Sequence, residues 1–204
     1  MATTISARDV SELRSLTGAG MMDCKKALQD TGGDVQKAVD LLRQKGMARA
    51  EKRADRSAKE GVIGSYMHFN GKVAVLVEVN CETDFVARTD DFQQLGKDLA
   101  IHIASAKPLA VTVEEMPADV VEREKAIYEA QVAESGKPEQ VRAKIVEGKL
   151  RKFYEEQVLM EQKFVKDDSK TIGDLVKEVS GKIGENIVVR RFARFELGEQ
   201  PPKK

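Results

Sequence analysis

The segment GKVAVLVEVNCETDFVA (71–87) decides the fold, because it joins a strand to the start of a helix. Valine occupies every second position from Val73 to Val79, and this alternation predicts a strand with one buried face. Thr83 or Asp84 then offers a side chain that can cap a following helix. The segment therefore predicts a strand-to-helix junction, as expected of a mixed α+β fold.

Two further strands are predicted beside this one. Residues 62–69 and 72–80 flank Asn70-Gly71, which is the strongest short signal for a β-hairpin. Near the end of the sequence, NIVVRRFARFE (186–196) has the composition of another strand. Together these segments predict a small, three-stranded antiparallel sheet packed on helices.

The helices of this core follow from apolar residues at helical spacing. Residues 86–106 and 171–183 each carry a broad apolar stripe. Residues 118–134 and 138–156 are rich in charge, carry only a narrow apolar seam and are separated by Ser135-Gly136-Lys137-Pro138. Two such helices joined by a short turn predict a projecting antiparallel hairpin, at about 118–156.

Residues 6–46 predict a separate group of three short helices. The segment Ser6–Asp9 resembles a capping box at the start of the first helix, and Gly18 is placed to end it. Asp34 is a suitable N-cap for the third helix, which we expect to end at Gly46. We expect this group to be a small binding module rather than a large core.

The following segment, MARAEKRADRSAKE (47–60), loses the apolar periodicity and contains five basic and three acidic residues. We interpret it as a charged, partly helical linker, which divides the chain into a module at 1–46 and a core domain at 61–204. An RNA-binding role for this basic linker is the alternative, although aromatic residues are not interleaved with its charges.

Composition narrows the classes of function. Lys and Arg together number 34, as do Asp and Glu, so the chain of 204 residues has no net charge and no global attraction to a polyanion. Cys24 and Cys81 are too few for a disulfide scaffold and fit no zinc spacing. Without a membrane-length apolar run or a signal sequence, the expectation is a soluble, cytoplasmic protein with no membrane partner.

The sequence pattern alone offers four candidate functional sites. Phe85 either packs into its own core or is held out by the strand-to-helix junction as an aromatic wedge. The glycine-rich turn at 17–20 precedes a helix but matches no phosphate-binding fingerprint. Cys81 and His102 could serve a cysteine-dependent enzyme, and Cys81, Glu82 and a histidine could hold a metal, but no spacing supports either site.

Longer stretches carry a resemblance to a known family. LRSLTGAGMMDCKKAL (13–28) and EVNCETDFVAR (78–88) resemble the two signatures of bacterial elongation factor Ts. Further similar stretches cover nearly the whole chain: GVIGSYMHFNGKVAVLVEVN, HIASAKP, SGKPEQVRAKIVEGKLRKFYEEQ and SKTIGDLVKE. Arg88 stands where lysine is common in the family, a mild change at an exposed helix start.

The resemblance implies both fold and function. It implies a three-helix, ubiquitin-associated-like module, followed by a core with a three-stranded sheet and a protruding helical hairpin. It implies an exchange factor with no active site, cofactor or metal of its own, which promotes GDP release from elongation factor Tu by disturbing the magnesium and phosphate site. The implied contacts to that partner are Met21 and Met22 in the module, and Thr83, Asp84, Phe85 and Val86 in the core.

The length of the chain implies a short form of the family, since long members carry two related halves of the core. We therefore expect a homodimer, in which a second copy covers what the second half would cover. The outer face of the predicted sheet, with Leu76 and Ala74, is the surface that needs this cover. No direct contact with nucleic acid is expected.

Overall fold

A computed structural model describes residues 5–133 and 138–199 of the chain. The turn predicted at Ser135–Lys137 lies outside these residues. Within the described ranges, short 3-10 turns occur at Val113–Glu115 and Leu159–Glu161. The helices and strands follow in the order α1 (Ala7–Thr17), α2 (Met21–Asp30), α3 (Val35–Glu51), β1 (Glu60–Met67), β2 (Val73–Cys81), α4 (Asp84–Ala87), α5 (Asp90–Ala106), α6 (Ala118–Ala133), α7 (Glu139–Gln157), β3 (Lys163–Phe164), β4 (Asp167–Thr171), α8 (Ile172–Ile183) and β5 (Val188–Glu196).

The predicted caps of the first and third N-terminal helices are present. The Asp9 amide donates to Ser6 Oγ at 3.2 Å, and the Ser6 amide donates to the Asp9 carboxylate at 2.9 Å, so the capping box is confirmed. Gly18 ends α1 in the left-handed conformation, and the Asp34 side chain caps α3. The apolar faces of these helices enclose a small core made of Val10, Leu13, Cys24, Ala27, Leu28, Ala38 and Leu42.

The predicted end of the third helix at Gly46 is wrong. Helix α3 passes through Gly46 and ends at Glu51. The physical reason is that Gly46 keeps a helical rather than a left-handed backbone. It lies at a close crossing with α8, where a Cβ atom on Gly181 would lie 2.8 Å from the Gly46 backbone, whereas one on Gly46 would be in ordinary contact, 3.8 Å from Gly181 Cα. Gly181 is therefore the glycine that lets the two helices approach, and the first residues of the charged linker are helical.

The predicted three-stranded sheet is confirmed, with strand order β1-β2-β5. Its hairpin turn is longer than the two-residue turn expected from Asn70-Gly71. The Gly71 amide donates to the His68 carbonyl at 2.8 Å, and the His68 amide donates to the Val73 carbonyl at 2.9 Å. Asn70 also accepts from the Lys72 amide at 3.0 Å, so side-chain bonding stabilises the wider turn.

The alternation of β2 produces the predicted faces. Val75, Val77 and Val79 are buried, whereas Leu76 remains 50% exposed. Strand β1 approaches α5 so closely that a Cβ atom on Gly64 would lie 2.4 Å from the Gly96 carbonyl oxygen. One face of the sheet is therefore packed on a helix and the other carries exposed apolar side chains.

One pair of strands was not predicted. Strands β3 and β4 pair antiparallel with an irregular register between Lys163 and Phe164. Their sequence, KFVKDDSKT (163–171), is short and polar and carries little of the alternation that marks a strand. Tertiary context rather than local pattern places this small ribbon.

The chain forms two compact units. The first contains α1–α3 and the α4 region, and the second contains the α6–α7 hairpin, which was predicted at about 118–156. The first unit consists of Met1–Val62, Val79–Leu95 and Asp174–Val188, and the second of Ile63–Glu78, Gly96–Gly173 and Val189–Lys204. A division into a module at 1–46, a linker at 47–60 and a core at 61–204 stays a prediction.

No helix in residues 5–133 or 138–199 has the length and apolarity needed to cross a membrane.

Candidate partner-binding site

The junction between β2 and α4 is built by a threonine cap. Thr83 has an extended backbone, and its hydroxyl accepts from the Val86 amide at 3.4 Å. Thr83 therefore supplies the cap for which the sequence left Thr83 and Asp84 as alternatives. Asp84 instead pairs with Arg88 at 2.9 Å, four residues along the chain.

Phe85 points into solvent. Its exposed fraction is 79%, in contrast to Ala87, which is buried at the other end of the same single-turn helix. The alternative that Phe85 packs into its own core is thereby excluded. Val86 is partly buried, so of the four predicted contact residues Phe85 offers the largest free apolar surface.

A carboxylate from a distant part of the sequence holds this junction. Glu185 Oε2 accepts from the amides of Glu82 and Thr83, at 3.0 Å each, and Glu185 Oε1 accepts from the Thr83 hydroxyl at 2.7 Å. In return, Glu82 Oε1 accepts from the Asn186 amide at 2.7 Å. The β2–α4 and α8–β5 junctions thus hold each other's backbones.

The linker is attached to the same network. The buried Asn186 side chain donates to the carbonyls of Ala54 at 3.0 Å and Arg56 at 2.7 Å. The Arg56 guanidinium also lies 3.5 Å from the Glu82 carboxylate. Sequence reasoning missed Glu185 and Asn186; the signal that could have found them is a polar pair between an apolar helix and an apolar strand.

The second predicted contact surface lies at the start of α2. Met21 is 45% exposed and Met22 is 76% exposed, so both consecutive methionines offer apolar surface. Behind them, Arg49 donates two hydrogen bonds to Asp23, at 2.9 and 3.0 Å. These bonds to Arg49 lower the pKa of Asp23, and they tie the beginning of α2 to α3.

The glycine-rich turn before α2 is already occupied by other groups. The aliphatic part of Lys182 lies against Gly18, so close that a Cβ atom there would be 2.5 Å from Lys182 Cε. The Lys182 ammonium pairs with Asp91 at 2.7 Å. Lys182, at the end of α8 and three residues before Glu185, therefore contacts both the turn that precedes Met21 and the start of α5.

The cysteine-enzyme alternative finds no support in the state of its residues. Burial raises the pKa of the Cys81 thiol to about 11, with a further contribution from the Glu185 charge, so the nucleophilic thiolate is not populated near neutral pH. His102 is buried, and burial lowers its pKa. His102 Nδ1 accepts from the Val165 amide at 3.3 Å, which leaves Nε2 to donate to Gln162 at 2.9 Å.

Metal binding was the remaining chemical alternative. In the part of the chain that the structure describes, no group of three or more His, Cys, Asp or Glu side chains is arranged to hold a metal ion. The arrangement of exposed Phe85 and methionines on hydrogen-bonded supports is instead suited to contact with another macromolecule.

Known proteins are similar to this chain over nearly its whole length. The family model described as "Elongation factor TS" matches residues 2–199. Elongation factor Ts of Geobacter sulfurreducens is 59% identical over 98% of this chain and 93% of its own length. The Fervidobacterium nodosum protein is 58% identical over 96% and 99%, and that of Syntrophobacter fumaroxidans is 54% identical over 98% and 100%. The chain is therefore a member of the elongation factor Ts family of bacterial translation elongation factors.

Proposed function

We propose that this protein is the guanine-nucleotide exchange factor for elongation factor Tu in translation elongation. The observation that carries the proposal is the exposure of Phe85 at a junction that is hydrogen-bonded on both sides. An exposed aromatic residue on a fixed support binds a partner at low entropic cost, because little of it must be ordered on association.

The wedge, Asp84 and Phe85, would act by displacing groups around the nucleotide of the partner. Insertion of the Phe85 ring moves a partner helix, and the Asp84 carboxylate disfavours the adjacent magnesium and phosphate arrangement. Loss of the magnesium weakens the hold on GDP, because the ion neutralises phosphate charge. The protein therefore needs no active site of its own.

This mechanism is allosteric, since the factor and GDP occupy different sites on the partner. Each must weaken the binding of the other by the same factor. The wedge must also bind the nucleotide-free state more tightly, because equal affinity for both states would shift no population. Met21 and Met22 supply a second contact, in which flexible apolar side chains dock on the nucleotide-binding domain of the partner.

The alternative is an RNA- or ribosome-associated protein that uses the basic linker. Two of the linker's cations already lie beside carboxylates, Arg49 with Asp23 and Arg56 with Glu82, which reduces the field available to a phosphate backbone. Nuclease treatment separates the two functions. Binding to elongation factor Tu should survive nuclease and weaken with excess GDP, whereas binding through RNA should be lost with nuclease and ignore GDP.

The outer face of the sheet supports a homodimer, and we include this assembly and a cytoplasmic location in the proposal. Exposed apolar side chains occur on all three strands: Ile63, Met67, Leu76 and Phe195. An isologous pairing of two copies would cover them. Light scattering should give twice the 22.6 kDa mass of one chain, and Leu76→Lys should give the single-chain mass. A wild-type protein of 22.6 kDa at all concentrations would contradict the dimer.

A further inference from the structure

We propose that Glu185 is a positioning residue for exchange, which fixes the orientation of the Asp84–Phe85 wedge without touching the partner. The proposal rests on the exchange function proposed above. It assigns a role to a residue that lies 102 positions along the chain from the threonine it holds.

Three donors converge on the Glu185 carboxylate. Oε2 accepts from two successive backbone amides, Glu82 and Thr83, while Oε1 accepts from the Thr83 hydroxyl. That same hydroxyl accepts from the Val86 amide. Glu185 is therefore connected through one threonine to the first turn of α4, on which Phe85 is mounted. Hydrogen bonds to an ionised acceptor are about twice as strong as neutral ones.

Glu185 is itself held in place. The Ser180 hydroxyl on α8 donates a hydrogen bond to the Glu185 carbonyl at 2.5 Å. The backbone amide of the next residue, Asn186, donates one to the Glu82 carboxylate at 2.7 Å. These two contacts hold the backbone from which the Glu185 side chain extends toward Glu82 and Thr83. The support therefore acts as a fixed reference for α4.

Helix α4 needs an external support because it has only four residues. A single helical turn is unstable alone, since its few hydrogen bonds do not offset the entropy of ordering it. Without Glu185, the amides of Glu82 and Thr83 would have to rotate toward other acceptors. The junction would then populate several conformations. The exchange rate would fall in proportion to the fraction of molecules whose junction keeps the conformation that binds the partner.

A glutamine at 185 tests this role with little change of shape. Its amide oxygen can still accept from the two backbone amides, but its NH₂ then faces the Thr83 hydroxyl, which must turn from donor to acceptor, and the negative charge that strengthened all three bonds is gone. With Glu185→Gln, we expect fluorescent GDP to leave elongation factor Tu about tenfold more slowly than with the wild-type protein. A tenfold change in rate corresponds to the loss of one charge-assisted hydrogen bond. Glu161→Gln, an exposed carboxylate elsewhere, is the matched control and should release GDP at the wild-type rate.

A double-mutant cycle separates positioning from general damage. If Glu185 acts through the wedge, Glu185→Gln should cause no further loss in the Phe85→Ala background. Amide hydrogen exchange should show loss of protection at Glu82 and Thr83 in Glu185→Gln, with protection unchanged in the control. Should Glu185→Gln fail to fold, Thr83→Val removes the hydroxyl that joins Glu185 to the Val86 amide, and with it the cap of α4, and should still slow release severalfold.

The outcomes are distinguishable. The positioning role would be overturned, while the exchange function stands, if Glu185→Gln gave the wild-type rate of GDP release. It would also be overturned if Glu185→Gln lowered that rate equally in the wild-type and Phe85→Ala backgrounds. A wild-type protein that fails to accelerate GDP release would overturn the exchange function, and the positioning role with it.

Discussion

Replacing Phe85 with alanine separates partner contact from fold stability. Truncation of a fully buried phenylalanine costs about 3–5 kcal/mol, but Phe85 is 79% exposed, so only about a fifth of its surface is covered. The expected cost is therefore below about 1 kcal/mol. For a chain of this size, that cost corresponds to a shift in Tm of no more than about 4 °C.

The matched control is Phe92, a phenylalanine of α5 with no exposed surface. Phe92→Ala should lose the full 3–5 kcal/mol, or roughly 6–20 °C in Tm. In stopped-flow release of fluorescent GDP from elongation factor Tu, Phe85→Ala should be slower than wild type by about thirtyfold or more, as for a central interface aromatic. The reasoning is refuted if Phe85→Ala melts as low as Phe92→Ala, or if it releases GDP at the wild-type rate.

Four further substitutions test packing, charge and docking. Gly181→Ala should destabilise the protein by about 1–3 kcal/mol in urea unfolding, because the added Cβ would press on the α3 backbone. Gly148→Ala is the control: its Cβ would lie in open space, so it should stabilise the protein by about 0.5–1 kcal/mol. Hydrogen bonds from Arg194 and then Lys107 lower the pKa of Glu196 from 4.5 to about 2. The contribution of Glu196 to stability is therefore present above pH 4.5 and is lost as the pH falls toward 2. The stability of Glu196→Gln should lack this loss between pH 4.5 and 2 in acid unfolding. Met22→Ala should weaken partner binding about fivefold in titration calorimetry without changing Tm, since Met22 is 76% exposed, and unchanged affinity would remove it from the interface.

The parts of the fold that could be predicted depend on neighbouring residues. The capping box at Ser6 and Asp9, the left-handed Gly18 and the alternation that buries Val77 are all local signals, and the structure contains each of them. The predicted α+β class followed from these signals. The two-stranded ribbon was missed because its residues carry no comparable pattern.

Contacts between distant parts of the sequence could not be predicted in this way. Gly46 carries the local signal of a helix end, yet the helix continues through it, and the glycine that the crossing requires is Gly181 on another helix. Glu185 resembles an ordinary polar residue between a helix and a strand until its three donors are seen. The exposed position of Phe85 was one of two alternatives in the sequence, and only the packing around the junction decides between them.

Dissociation of fluorescent GDP from elongation factor Tu, measured across a concentration series of this protein, tests the central claim most directly. The dissociation rate should rise with protein concentration and then saturate, because release occurs from the ternary complex. It should rise far less with Phe85→Ala at the same concentrations. A rate that is the same at every concentration of the wild-type protein would contradict the proposed exchange function.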